Sequence, residues 1–303
     1  MAGTGILEFC HRFPDEEACL NWIFEKKFGD HTPCPLCDSF GRWTKVKGAK
    51  KFQHACRKQI SLLAGTAFYR SNIPLSACFY AMLLFANSSS GVRTSFLRKQ
   101  LGLGTKSAHR LSNRIRLHMS AWDRPTQLGG PGKLVEVDEV ILRHIRKPGA
   151  PNLDSALVMG IACEGQVLCG IVPDRKRETL HRNIKKFVAP DSIVVTDDWV
   201  AYRKLADLGF RHITVNHSQG YFNTEGYSTG NIDSYWAVVR RAMRGYQQVS
   251  QYNLWLFIAE IECRYNMRHS AETIFDTLVS HWPSVIGDDL EALRLKYDWS
   301  QNV

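Results

Sequence analysis

The chain has 303 residues, 44% of them hydrophobic and 22% charged, which is ample for one large or two to three small folded domains and excludes a disordered polymer. No stretch approaches the roughly 18 apolar residues of a membrane span, and the longest apolar cluster, residues 78–86, has the length of a buried helix. The opening MAGTGILEFCHRF has no charged segment followed by an apolar core, so no secretory signal is expected. Nine cysteines, with Cys163, Cys169 and Cys263 alone in apolar surroundings, argue against a disulfide framework and for a soluble intracellular protein.

The formal charge of +10 is unevenly spread: residues 1–126 hold 19 Lys/Arg against 8 Asp/Glu, and residues 127–303 hold 20 against 21. Between Asp38 and Asp123 lie fifteen basic residues and no acid, among them Lys45, Lys47, Lys50, Lys51, Arg57, Lys58, Lys99, Lys106, Arg110, Arg114 and Arg116. Ordinary surfaces mix both signs. A segment this one-sided expects a polyanion, and nucleic acid in particular.

Residues 1 to 30 read as a short helical lead with Phe13, Ala18, Leu20, Trp22, Ile23 and Phe24 at apolar positions. CPLC then sets Cys34 and Cys37 in a turn, strands are predicted over 43–46 and 51–54, and FQHAC brings His54 and Cys56. A C-x2-C knuckle followed by a second pair of thiol or imidazole ligands is how a zinc ribbon ties two hairpins. One structural zinc on Cys34, Cys37, His54 and Cys56 is expected. His54 is the weakest of the four, because H-x-C stands where C-x2-C is usual, and His31 is its possible substitute. Lys50 and Lys51 are expected to meet DNA phosphates.

Helices are predicted over 75–87, 94–101 and 105–118, with Gly102, Leu103 and Gly104 as a tight turn between the last two, the layout of a helix-turn-helix. Ala108, Leu111 and Ile115 recur at helical spacing toward a core. Lys106, His109, Arg110 and Asn113 fall on another face, free of carboxylates, with donors suited to base edges or phosphates. Residues 121–133, rich in Gly and Pro, read as a linker.

Beyond the linker, strands are expected over 134–142, 155–163, 166–172, 192–197 and 212–215, and helices over 177–188, 199–208 and 232–244, which makes a mixed sheet with helices packed on it. Asp138 and Asp197 sit at or near strand ends, and Asp233 opens an amphipathic helix. Three convergent carboxylates are a cage for hard divalent cations, which keep open positions for phosphate oxygens. Asp198 adjoins Asp197 but points to the other face. Glu136 shares the face of Asp138, as a group supporting the metal site or a buried acid beside it, whereas Glu139 points away. Arg240, Arg241 and Arg244 recur on the Asp233 side of the last helix as ion-pair partners or phosphate clamps.

The strand order, with VEVDE, VVTDDWVAYR, VNHSQGY, IDSYWAVVRRAMRGY, CRYNMR and the N-terminal CPLC and CRKQISLLAGTAF, resembles the DDE transposases of bacterial insertion sequences that carry an N-terminal zinc ribbon, the ISXO-like group related to the Merlin elements. The resemblance implies an α/β, ribonuclease H-like (retroviral integrase superfamily) catalytic domain preceded by a zinc ribbon and a helix-turn-helix. It makes Asp138, Asp197 and Asp233 the catalytic ligands of two Mg2+ or Mn2+ ions. Asp233 stands where the family usually has Glu, a departure that leaves room for an inactive, domesticated DNA-binding copy. A ribonuclease H-like nuclease is the other alternative. The implied partners are double-stranded DNA, as transposon ends and target, and further copies of the chain in a homodimer or larger assembly. The implied location is the cytoplasm and nucleoid of a bacterium or the nucleus of a eukaryote. The expected division is 1–72 for lead and ribbon, 73–120 for the helix-turn-helix, 121–133 for the linker, 134–268 for catalysis and 269–303 for a tail that packs or mediates assembly. His217, Tyr221, Tyr246 and Asn266 are left as surface, packing or DNA-contact residues.

Overall fold

The helical lead is a pair of helices, α1 (Ile6–Arg12) and α2 (Glu16–Lys27), in a computed structural model that describes residues 4–29, 32–146, 149, 154–216, 226–270 and 273–300. The Asp15 carboxylate accepts the Ala18 N–H at 2.8 Å to start α2, and Glu16 and Glu17 in its first turn with Lys26 and Lys27 in its last follow the helix dipole. The ring of Phe24 stacks at 4.1 Å on Phe52, which belongs to an antiparallel sheet of β1 (Trp43–Lys45), β2 (Lys51–His54) and β3 (Gln59–Ser61). Strand β3 was not expected. Three residues are too few to display an alternation, and it exists because Ile60 finds Phe52 across the ladder.

Helix α3 (Leu75–Ala86) follows Pro74 and has no cap of its own; Glu16 of α2 accepts the Leu75 and Ser76 N–H groups instead. Helix α4 (Thr94–Leu101) ends at Gly102, whose φ of 61° supplies the left-handed residue that closes a helix. After it, α5 (Thr105–Ser120) buries Ala108, Leu111, Ile115 and Met119. These elements, Met1–Ala121, form one compact unit together with His269–Leu290. In it the helix Ile274–Ser280 sets Phe275 against Phe9 and Phe13, and Trp22 donates its indole N–H to the Val279 carbonyl at 3.0 Å.

The second unit is Trp122–Arg268 with Glu291–Val303. The residues expected to be a tail are thus divided between the two units. In the second, Ile171 exchanges backbone hydrogen bonds with Tyr297 and Trp299, so the C-terminal segment seals a sheet edge. The glycine-rich stretch expected to be a linker carries a two-residue strand, β4 (Leu128–Gly129), with Leu128 buried. Then come β5 (Leu134–Arg146), β6 (Asp154–Cys163), β7 (Gln166–Val172), α6 (Arg177–Phe187), β8 (Val188–Ala189), β9 (Ile193–Asp197), β10 (Arg211–Val215), α7 (Gly230–Tyr246), β11 (Val249–Ser250) and α8 (Leu254–Asn266). The main sheet runs β10-β9-β5-β6-β7, with β10, β9 and β5 parallel, β5, β6 and β7 antiparallel, and β11 added alongside the end of β5. β4 pairs β8 apart from it.

The helix expected over 199–208 is instead two short 3-10 turns, 200–202 and 205–208. Lys204 between them takes a left-handed φ of 71°, and Tyr202 is pinned in the core by its hydroxyl, so no continuous helix forms. Strand β5 also runs past its expected end, through an irregularity at His144, whose φ is 64°.

Alternation along β5 sorts the two faces of the sheet. Val135 and Val137 lie in a cluster with Leu180, Ile184 and Tyr202, the side covered by α6. The other side is covered by α7. Gly160 of β6 pairs with Asp138, and a Cβ placed there would come within 2.6 Å of Trp236 and 2.8 Å of Ile232, so α7 lies directly on the backbone next to that aspartate. No helix of the described residues is long and apolar enough to cross a membrane.

Candidate active site and metal centre

Strands β5 and β9 are in register from Leu134 opposite Ile193 to Glu136 opposite Val195. Asp138 and Asp197 each lie two residues beyond the last of these pairs, so strand alternation puts both on the side of the sheet that Glu136 faces. Asp233 lies in the first turn of α7, where Thr229 donates its hydroxyl to the carboxylate at 3.0 Å. Asp138 and Asp197 are half-buried and Asp233 is exposed. Burial, together with repulsion from Glu139, Asp197 and Asp233, pushes the Asp138 carboxyl up to about 6. Asp138 therefore feels the charge of the other two expected ligands. The three are not drawn into a set as tight as the thiol group described below, and a pair of ions about 3.5–4 Å apart is a wider guest than one ion. Three carboxylates, two of them repelling the third, with an opening to solvent are a donor set that fits hard divalent cations.

Glu136 is buried and holds the start of α7. Its carboxylate accepts the backbone N–H groups of Asn231 and Ile232 at 2.8 and 2.9 Å and the Asn231 amide at 2.6 Å. It thereby satisfies the unpaired first turn of α7 and meets the positive end of the helix. Burial nevertheless raises its pKa, against those hydrogen bonds. One strand thus carries Asp138 and, two residues earlier, the anchor of the helix that bears Asp233. Glu139 is on the opposite face, taking the Tyr202 hydroxyl at 2.8 Å and Arg175 at 3.1 Å. Asp198 is exposed. Glu262 is fully buried, bonded to the Cys169 N–H at 2.7 Å and paired with Arg124 at 3.2 Å, which commits it to the core beneath α8.

Arg240, Arg241 and Arg244 are exposed along α7 and make no ion pair among the described residues. Asn266 clips β7, accepting the Val167 N–H and donating to its carbonyl, both at 2.7 Å, and the Tyr246 hydroxyl donates to Glu260. Both are structural. His31, His217 and Tyr221 lie outside the described residues, as does Glu225, which with Glu262 is next in line as third ligand should Asp233→Asn retain activity.

In the N-terminal unit, Cys34, Cys37, His54 and Cys56 converge with their ligand atoms all within 4.8 Å of one another. Cys34 and Cys56 sulfurs are 3.5 Å apart, and His54 presents Nδ1 to Cys56 at 3.1 Å and to Cys37 at 3.5 Å. The irregular H-x-C half closes as the C-x2-C half does: Asp38 and Arg57, each following a knuckle, take left-handed φ of 55° and 70° and bond back to the carbonyls of Cys34 and His54. Buried His54 also packs against Trp43. Three thiols and an imidazole at this spacing can hold a tetrahedral zinc ion.

Among the basic residues, Lys106, His109 and Arg110 are exposed and Asn113 half-buried on one face of α5, and Lys51 is exposed on β2. Lys50 is otherwise engaged, paired with Glu16 at 3.2 Å and donating to the Ile73 carbonyl. Lys45 pairs with Glu17 at 3.0 Å. Arg114 donates to the Ala67 and Tyr69 carbonyls, and Arg116 is buried over Phe85. The acid-free run thus borrows its counter-charges from α2. What sequence reasoning missed is Arg175, just before α6, whose guanidinium lies 4.8 Å over Trp199; its only sign was the cationic run at residues 175–177.

Residues 130–266 match the model of the ISXO2-like transposase domain. An uncharacterized transposase-like protein of Haemophilus influenzae is 31% identical over 96 residues, which cover 32% of this chain and 77% of that protein. The family match over residues 130–266 spans the strands and helix that carry all three aspartates, and with that relative it shows that the chain belongs to the ISXO2-like transposase family.

Proposed function

We propose that the protein is a DNA transposase that binds the terminal inverted repeats of a mobile element and catalyses metal-dependent DNA cleavage and strand transfer on a ribonuclease H-like domain. The observation that carries this reading is the placement of Asp138, Asp197 and Asp233 on two adjacent parallel strands and the helix laid over them, close enough that the latter two act on the Asp138 carboxyl. Divalent cations held by these carboxylates, Mg2+ or Mn2+ and two per site, would activate the attacking oxygen and stabilise the leaving one. The chain's own part is positioning. Glu136 fixes the first turn of α7 and Thr229 orients Asp233. Arg240, Arg241 and Arg244 supply cations for the phosphates that three acids alone would repel. The zinc-binding knuckles stiffen a ribbon beside the helix-turn-helix of α4 and α5, whose Lys106, His109, Arg110 and Asn113 reach toward DNA, with Lys51 on the backbone. Both ends of an element must be cut and joined together, so a homodimer or larger assembly on DNA follows.

The discriminating experiment incubates the full-length protein with labelled terminal-repeat duplex, target plasmid and magnesium, scoring nicks and joined products separately. A transposase yields both. Nicks without joining identify a nuclease, and end binding without either product identifies a DNA-binding protein with a silent site, the reading that aspartate at position 233 would favour.

A further inference from the structure

Trp199 leaves 42% of its surface in solvent although it lies two residues beyond Asp197. It is not a loose surface side chain. Its backbone N–H donates to the Asp197 carboxylate at 3.1 Å, which ties this turn of the chain to the acid cluster. The Arg175 guanidinium covers the ring at 4.8 Å, and Arg175 donates at 3.1 Å to Glu139, whose side chain is fully buried and also takes the Tyr202 hydroxyl at 2.8 Å. Burial works against the charge of Arg175, but Glu139 and, more weakly, Asp197 outweigh it, so the guanidinium stays charged within reach of the cluster's field. A buried carboxylate thus anchors an arginine, the arginine steadies an indole, and the backbone of that same tryptophan bonds Asp197.

Nothing in the core requires a tryptophan here, since Ala201, Tyr202 and Leu205 supply the apolar anchors of this turn. An exposed aromatic face beside a fixed cation is what an unstacked nucleobase recognises, whatever its sequence, through stacking and cation–π contact. We propose that Trp199, steadied by Arg175 and Glu139, is a stacking shelf for a nucleobase that leaves the double helix next to the phosphate being cleaved. The proposal rests on the transposase reading above. On it, the shelf lowers the cost of opening the duplex, so its benefit is felt on paired DNA and shrinks when the flanking base is already unpaired.

The test uses the full-length protein with magnesium and DNA carrying the ends of its own element. The cleavage point is first mapped with the unaltered protein, and absence of cleavage there would count against the transposase reading rather than the shelf alone. Two duplexes are then compared, one fully paired and one with a mismatch at the nucleotide flanking that point. Trp199→Ala is expected to slow cleavage of the paired duplex about ten- to hundredfold, the range set by the loss of one base–aromatic stack, and to slow the mismatched one much less. Trp199→Phe should retain most of the rate on both, and Arg175→Ala should follow Trp199→Ala more weakly. Cleavage of the paired duplex by Trp199→Ala at the unaltered rate overturns the shelf. An equal loss on both duplexes also overturns it, and assigns Trp199 to holding Asp197 instead.

Discussion

Gly160→Ala offers a severe test of how the third aspartate is placed. The added methyl would stand 2.6 and 2.7 Å from two ring carbons of Trp236 and 2.8 Å from the Ile232 terminus. Carbons in comfortable contact sit about 3.5–4.0 Å apart, so something must retreat by about 1 Å. The rigid indole is fully buried and cannot swing away, and the retreat falls on α7, which carries Asp233. Overpacking of this kind costs about 1–3 kcal/mol of stability, while a displacement of about 1 Å at reacting groups costs about a hundredfold in rate. The variant should therefore stay folded, with a modestly lower Tm, and lose far more of its metal-dependent cleavage than the melt alone explains. Trp236→Phe in the same chain returns the space and should recover part of the rate. Full cleavage by folded Gly160→Ala would refute the claim that the seating of α7 sets the site, and a loss that Trp236→Phe leaves untouched would refute the steric cause.

Three further outcomes are expected. The purified protein should hold about one zinc by elemental analysis, since the thiol-imidazole group is a single four-ligand set; Cys34→Ser, Cys56→Ser or His54→Ala should lose it and weaken end binding, and a well-folded preparation without zinc would contradict the assignment. In fluorescence anisotropy across a salt series, Arg110→Ala and Asn113→Ala should cost about 1–3 kcal/mol on the terminal repeat and much less on scrambled DNA. Lys51→Ala should weaken both and lower the salt slope by about one, with a smaller effect from Lys50, which Glu16 already holds. Finally, burial pushes the His118 imidazole, bonded to the Leu278 carbonyl at 2.7 Å, down from 6.5 to about 4. Below pH 6.5 the unfolded chain takes a proton that the folded one refuses, so this contribution is complete above 6.5 and is lost as pH falls toward 4. It amounts to about 3 kcal/mol. His118→Gln should flatten that limb of the stability profile, and an unchanged limb would place the titration elsewhere.

What could be read from the sequence follows period and spacing. Ala108, Leu111 and Ile115 declared a helix face, the alternation around Asp138 declared a strand with its acid on one side, and the cysteine knuckles declared a metal site. The failures have physical causes. Strand β3 is too short to show a period, and β4 pairs with a partner about sixty residues away that no local pattern announces. Residues 199–208 carry helix-forming side chains, yet the buried hydroxyl of Tyr202 and the left-handed Lys204 override them. Pairings across long separations were equally hidden: Glu16 holding both Lys50 and the start of α3, Glu136 holding the start of α7, and Arg175 lying on Trp199. Each needs the fold before it can be seen.

The central claim is that Asp138, Asp197 and Asp233 act together on metal and DNA, and separate measurement of end binding and cleavage for single substitutions tests it most directly. Asp138→Asn, Asp197→Asn and Asp233→Asn should each bind the terminal repeat almost as the unaltered protein does, yet yield neither nicks nor joined strands with magnesium or manganese, while Asp198→Asn stays active. Normal cleavage by any one of the three, above all Asp233→Asn, would contradict the account.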